Sequence, residues 1–375
     1  MQKKKLSAVL LTIFISVSLL FSACGSNAEN KDKTGSNTVA DATKSTTVPS
    51  TVSTTQQPES TKTEPAPIDY STVKPNESGQ VMVLMFHRFV MSADTVKGVA
   101  NQQYTTTFDE FRKLLQTLYN DGFRLVNMND YLNNNISVAA GFKPIVFTFD
   151  DGTDSQFNLV DDNGKLVANK ESAVGIMEEF NKLHPDFGLK GTFYVNLGDT
   201  TFNGKGTLAE RLKYLVDEGF EIGNHTMNHT VLNTVKTTDK IEEQIGGNQK
   251  IIDQLIPGYK MTTFALPEGA WPKGMKDYVA KGIYQGVDYD NKAIMLVGAN
   301  PSYSPVSKSF NPLQTARIRV SGIKKDDMDL DWWLNKLPEL DLYVSDGNPD
   351  TVAVPKAKES KVDQSKLNGK KLIAY

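Results

Sequence analysis

The stretch Ile145-Val146-Phe147-Thr148-Phe149-Asp150-Asp151-Gly152-Thr153 decides the fold. An apolar run of β-branched and aromatic residues stops abruptly at two adjacent carboxylates and a glycine. That pattern describes a buried strand carrying acids at its carboxyl end. In parallel α/β folds this edge of the sheet forms the cleft, because the loops leaving it enclose the chemistry. Neighbouring side chains on a strand point to opposite sides, so Asp150 and Asp151 can serve one site only if the chain turns there. Gly152 supplies such a turn. Alone, an Asp-Asp-Gly is more often a plain strand end, and the rest of the chain has to decide.

Outward from this stretch, strand-like and helix-like segments alternate. Val81 to Phe86 reads as a strand ending in His87, and Thr107-Phe108-Asp109-Glu110 as a capping box opening a helix to about Asn120. Further strands are expected over 123–128, 190–195, 220–223, 261–266, 282–287 and 316–320. Helices are expected over 171–182, 207–218 and 239–255, the last with a weak spot at Gly246-Gly247. Residues 154–170 form a polar insertion. The alternation predicts an α/β fold with parallel strands and crossover helices, best fitted by a closed or nearly closed (β/α) barrel. An open doubly wound sheet is the alternative. After Val320 the alternation ends, with one more helix expected over 329–340.

The net charge of −3 and the lack of a Lys/Arg stripe give no reason to expect nucleic acid as a partner. The single cysteine, Cys24, excludes an intramolecular disulfide. Lys3 to Lys5 precede an apolar run from Ala8 to Phe21 that is too short for a comfortable membrane span. The run ends in Leu20-Phe21-Ser22-Ala23-Cys24-Gly25, which resembles a bacterial lipoprotein signal peptide, with Phe21 where that pattern usually has Leu. The resemblance implies export and a lipidated Cys24 anchoring the protein to the cell membrane, facing the cell wall or extracellular side. The expected organisation is a signal peptide over 1–24, a disordered Ser/Thr-rich linker over 25–78, a catalytic domain over 79–322 and a C-terminal extension of unknown role over 323–375. A monomer is expected.

There are four histidines, and His225-Thr226-Met227-Asn228-His229 places two of them just after a short strand. Their spacing lets both imidazoles converge on one ion. Two His and one carboxylate with open positions make a catalytic metal site and not a closed structural one.

Thr148-Phe149-Asp150-Asp151-Gly152 and His225-Thr226-Met227-Asn228-His229 resemble the first two motifs of the polysaccharide deacetylase family, carbohydrate esterase family four. Phe264-Ala265-Leu266-Pro267-Glu268-Gly269 resembles the third. The resemblance implies a distorted, incomplete (β/α) barrel that removes acetyl groups from N-acetylated or O-acetylated sugars. It implies Asp150 as general base, and Asp151, His225 and His229 as ligands of a divalent metal, usually zinc. It makes Pro267, Glu268 and Gly269 substrate-binding positions, with a backbone N–H near Glu268 facing the oxyanion. Trp271 and Tyr303 are aromatic candidates for lining a sugar groove.

Two features depart from the common family pattern. Ala265 stands where many members have an Arg that orients the catalytic Asp, and no histidine follows His229 to act as a late general acid. The chain resembles more closely the biofilm poly-N-acetylglucosamine deacetylase branch, in which a histidine closing the first strand is the proposed acid. His87 matches it. Arg317 and Arg319 alternate with apolar residues and read as a solvent-facing pair, the alternative being that one replaces the missing Arg beside Asp150. His184 reads as surface, and Trp332 and Trp333 as packing. The predicted function is a metal-dependent deacetylase of an N-acetylglucosamine-containing polysaccharide, whether peptidoglycan, chitin-like or poly-N-acetylglucosamine. The alternatives are a catalytically idle carbohydrate-binding lipoprotein and an O-acetyl xylan esterase.

Overall fold

The computed structural model describes residues 68–375. Nine strands form its main sheet: β1 (Gln80–Phe86), β2 (Phe123–Leu125), β3 (Lys143–Asp150), β4 (Thr192–Val195), β5 (Glu221–Asn224), β6 (Thr263–Ala265), β7 (Ala293–Met295), β8 (Ser302–Tyr303) and β9 (Ile318–Arg319). The order β7-β6-β5-β4-β3-β1 is parallel throughout. β2 runs parallel beside the start of β3, and β8 pairs antiparallel with the start of β1. The sheet curls, and its seam is bridged by the segment around β9. Ile318 and Arg319 pair with Leu84 and Met85 of β1, while Thr315 bridges Met295 of β7. The result is a distorted, incomplete (β/α) barrel, as the family resemblance implied.

β3 shows why the sequence folds this way. Every residue from Pro144 to Asp150 is buried, as expected for a strand covered on both faces. Ile145, Phe147 and Phe149 point outward into an aromatic layer with Phe86, Phe111 and Phe193. Val146 points inward with Val81, Val83, Tyr194 and Ala265. By the same two-residue period Thr148 and Asp150 face the barrel interior. Each fully buried Phe of the outer layer contributes about 1.5–3 kcal/mol.

Helices cover that layer. α1 (Phe108–Asn120) begins with the expected capping box, Thr107 and Glu110 bonding each other's backbone N–H, and buries Phe108, Phe111, Leu115 and Leu118. α2 (Ala173–Leu183), α3 (Leu208–Asp217) and α4 (Thr238–Leu255) follow their strands. The glycine pair in α4 is a packing device. A Cβ on Gly246 would lie 2.5 Å from the Tyr284 side chain, and one on Gly247 3.0 Å from Met227 Sδ.

Three expectations need correction. Residues 282–287 are not a barrel strand. They belong to an antiparallel hairpin, Lys281–Tyr284 with Val287–Asp290, packed against α4. Its turn residues Gln285 and Gly286 both have positive φ, a hairpin turn that the apolar pattern alone does not reveal. The barrel strand is β7, after it. The polar insertion holds a second hairpin, Leu159–Asp162 with Lys165–Ala168. Finally, the packed fold starts before residue 79. Asn76, Glu77 and Ser78 are buried, and Glu77 accepts from Tyr343 Oη and from the Asp346 and Ala353 N–H groups. The segment after 322 is therefore part of the fold. Leu342 and Tyr343 join the core, and Thr351–Val354 pairs in parallel with Lys371–Ala374. Cys24, the signal peptide and the linker up to residue 67 lie outside the described residues.

Candidate active site

β3 delivers Asp150 into the barrel, and the chain then turns. Asp151 has φ 80° and Gly152 φ 65°, so both carboxylates reach one cleft despite being neighbours. β5 ends at Asn224 and passes directly to His225. Three buried asparagines hold this loop in place. Asn196 Nδ2 donates to the His225 and Thr226 carbonyls, Asn224 Oδ1 accepts from Thr226 N–H, and Asn248 of α4 bonds Asn224. Thr226 and His229 both adopt positive φ (65° and 50°), backbone strain of the kind that collects at functional sites.

His225 Nε2 and His229 Nε2 lie 3.5 and 3.4 Å from Asp151 Oδ1. The ligand atoms of the three residues fall within 4.8 Å of one another. His225 is buried, and its Nδ1–H donates to the Ala265 carbonyl at 2.8 Å, which turns the Nε2 lone pair toward Asp151. Asp151 Oδ1 is buried with no hydrogen-bond partner. An orphaned carboxylate oxygen facing two imidazole nitrogens fits a divalent cation, and this donor set suits zinc. Burial pushes the Asp151 carboxyl up, but His225, His87 and His229 outweigh it and hold it well below the usual carboxylate range. Burial pulls the His225 imidazole down, and Asp151 and Asp150 more than restore it. In His229 burial and the His225 charge win, and it sits below its usual range.

Asp150 is 2% exposed and lies in the grip of Arg317. The guanidinium donates to Asp150 Oδ1 at 2.7 Å and to Oδ2 at 2.8 Å, a bidentate pair. Its remaining bonds go to Thr148 Oγ1 and the Leu296 carbonyl. Burial raises the Asp150 carboxyl, yet Arg317, with His225 and His87, brings it below its ordinary value. Arg317 is fully buried, so the solvent-facing reading is wrong for it, and this arginine, just before β9, stands beside Asp150 as the alternative reading had it. The alternation of Arg317 and Arg319 was the only signal in the sequence. Arg319 is locked to Asp329 and Asp326 and lies over the Tyr104 ring.

His87 closes β1, with Nε2 3.8 Å from Asp150 Oδ2 and its ring edge-on to Tyr104 at 4.7 Å. Burial lowers its basicity, and the partial recovery from Asp150 and Asp151 does not cancel that. The imidazole therefore rests neutral near pH 7.

These groups line one cleft of about 490 Å³ with Arg88, Ala100, Asn101, Tyr104, Leu266, Glu268 and Val297. Of the expected substrate-binding positions Pro267, Glu268 and Gly269 only Glu268 lines it, with φ 54°. Gly269 N–H and Ala270 N–H are used inside the turn, by Leu266 and Pro267 carbonyls, and Pro267 has none. The Glu268 N–H has no such partner. Pro267 is buried, and Gly269 lies against Val297. Trp271 packs beside the cluster of Leu232, Phe264 and Leu266, with Lys276 over its ring, and does not line the cleft. Tyr303 sits opposite Gln80 at the amino end of β1, away from the cleft. Tyr104 is the aromatic wall that the sequence did not disclose; it lies in a loop outside every motif. His184 caps α2 against Tyr119 and Phe180, and Trp333 donates to the Ala299 and Met328 carbonyls.

Fold and site together are those of a hydrolase. Residues 137–287 match the family model described as polysaccharide deacetylase. The match contains Asp150, Asp151, His225, His229 and the third motif; His87 and Arg317 fall outside it. No curated protein matches the chain. Among solved structures, the Streptococcus pyogenes deacetylase PplD is similar, with 18% identity, a TM-score of 0.50, and 69% of this chain and 98% of that one covered. BC0361, a polysaccharide deacetylase from Bacillus cereus, shows 17% identity and a TM-score of 0.50 over 69% of each chain. BA0330 from Bacillus anthracis shows 16% identity over the same shares, with the same TM-score. At these identities the likeness is one of fold.

Proposed function

We propose that the protein is a metal-dependent deacetylase that hydrolyses N-acetyl groups of a cell-surface or extracellular N-acetylglucosamine-containing polysaccharide. One observation carries this reading: an Asp-His-His ligand set opens onto the same cleft as a buried, Arg-held Asp and His87. Asp151, His225 and His229 would hold the metal, which when bound supplies Lewis acidity toward water and the acetyl carbonyl.

The chain's own residues do the rest. Arg317 fixes both Asp150 oxygens, so the carboxylate is ionised and correctly aimed when it takes the proton of the attacking water. The free Glu268 N–H is placed to donate to the oxyanion that forms on the acetyl carbon. An amine cannot leave without a proton. His87 rests neutral, so it acts as acid only after receiving one, and Asp150 Oδ2 is the nearest donor once protonated. The reading puts this enzyme outside the membrane, anchored through a lipidated Cys24.

The test is acetate release from N-acetylated peptidoglycan, chito-oligosaccharides and poly-N-acetylglucosamine, each with zinc and with a chelator, and with acetylated xylan alongside. Chelator-sensitive release from one of the three amide polymers is expected. Release from xylan alone would make the protein an esterase, and release from none would leave a carbohydrate-binding protein.

A further inference from the structure

All six arginines fall within the described residues. Five are committed. Arg112 pairs with Asp109, Arg124 with Asp186, Arg317 with Asp150 and Arg319 with Asp329, while Arg211 bonds the Gly204, Lys205 and Gly206 carbonyls. Arg88 alone has neither an ion pair nor a side-chain hydrogen bond, and it is exposed in the catalytic cleft next to His87.

Its surroundings hold it there. Arg88 begins a short strand, Arg88–Val90, paired in parallel with Thr105–Thr107. The short helix Val99–Gln103 between them brings Ala100, Asn101 and Tyr104 to the same wall. No other Lys or Arg lines the cleft among the described residues, and the nearby Arg317 and Arg319 are neutralised by Asp150 and by Asp326 and Asp329. The acids facing the cleft are likewise assigned, Asp150 to Arg317 and Asp151 to the ligand set. Glu268 is the one acid left, on the opposite motif loop. A guanidinium fork without a partner is shaped for a planar or tetrahedral oxyanion, which it binds through two parallel N–H donors.

We propose that Arg88 is a specificity-determining residue that reads an oxyanion, a carboxylate or a phosphodiester, on the polymer beside the acetamido sugar being cleaved. The inference rests on the deacetylase reading and narrows its substrate class to acidic N-acetylated glycans. Discrimination comes from the substrate's charge meeting the only unpaired cation of the cleft.

The experiment measures binding without turnover, using the zinc-loaded Asp150→Asn protein and that protein carrying Arg88→Gln as well. Three matched N-acetylglucosamine oligosaccharides are titrated by calorimetry: neutral, carboxylate-bearing and phosphate-bearing. The Asp150→Asn protein should bind one of the anionic ligands about tenfold more tightly than the neutral one, the scale of a charge-assisted hydrogen bond. Arg88→Gln should bring that ratio close to one, and Arg88→Lys should restore part of it. Which anion shows the ratio identifies its source. Equal affinity for all three ligands, or a ratio that survives Arg88→Gln, overturns the inference. Failure of the wild type to release acetate from any of the three would count against the deacetylase reading instead, because the binding ratio does not depend on turnover.

Discussion

Arg317, immediately before the strand that bridges the barrel seam, holds both carboxylate oxygens of Asp150 at the end of the central strand, at 2.7 and 2.8 Å. Neither residue is accessible, at 0% and 2% exposure. Removing one partner of such a pair leaves the other buried and uncompensated, which costs about 3–5 kcal/mol. Arg317→Met is therefore expected to lower stability by that amount in thermal or denaturant unfolding. With the guanidinium gone, burial raises the Asp150 carboxyl, so the acidic limb of the kcat–pH profile should move to higher pH. An unmoved limb would mean that Arg317 is structural only.

His87→Ala should keep the metal, since the ligands are Asp151, His225 and His229. Its defect should be larger on an N-acetyl substrate than on a matched O-acetyl one, because an amine requires protonation to depart and an alkoxide merely benefits from it. Equal loss on both, measured as kcat, would make His87 a structural strand-end residue.

Glu77 gives a pH dependence independent of the cleft. Burial, with Asp346 beside it, pushes its carboxyl up to about 7 from its ordinary value of 4.5. The folded state then holds the proton more tightly than the unfolded one, so the stability Glu77 contributes is fully present below about pH 4.5 and is lost as pH rises through about 7. A shift of that size corresponds to roughly 3 kcal/mol. Urea unfolding between pH 4.5 and 7.5 should show this decline, and Glu77→Gln should flatten it. An identical slope in the variant would place the titration elsewhere.

Cys24→Ser should move the protein from the membrane fraction to the medium or leave it unprocessed. Unchanged fractionation together with an unchanged acylated mass would contradict the lipid anchor.

The barrel was legible because its strands are apolar runs and two of its helices begin with capping boxes, at Thr107 and Thr207. The ligand set was legible because Asp151, His225 and His229 each lie at a strand end within a short motif. What stayed hidden depends on contacts distant in sequence. Arg317 and Asp150 are 167 residues apart, and nothing local distinguishes a buried Arg from an exposed one in an alternating strand. Tyr104 reaches His87 through a loop without periodicity. Glu77 looked like linker because Ser and Asn surround it, and its partners, Tyr343, Asp346 and Ala353, lie in the final segment of the chain. The 281–290 hairpin reads from sequence as a single barrel strand over 282–287 because its turn, Gln285-Gly286, lacks the Asn-Gly or Asp-Gly signature.

The division of labour between Asp150 and Asp151 is the central claim, and paired measurements of bound zinc and acetate release test it most directly. Asp150→Asn should retain stoichiometric zinc while kcat falls by about 10²–10⁴ and KM changes little. Asp151→Asn, like His225→Ala, should lose zinc and activity together, with partial recovery in excess metal. An Asp150→Asn enzyme with near-normal turnover, or an Asp151→Asn protein that still holds zinc tightly, would contradict the account.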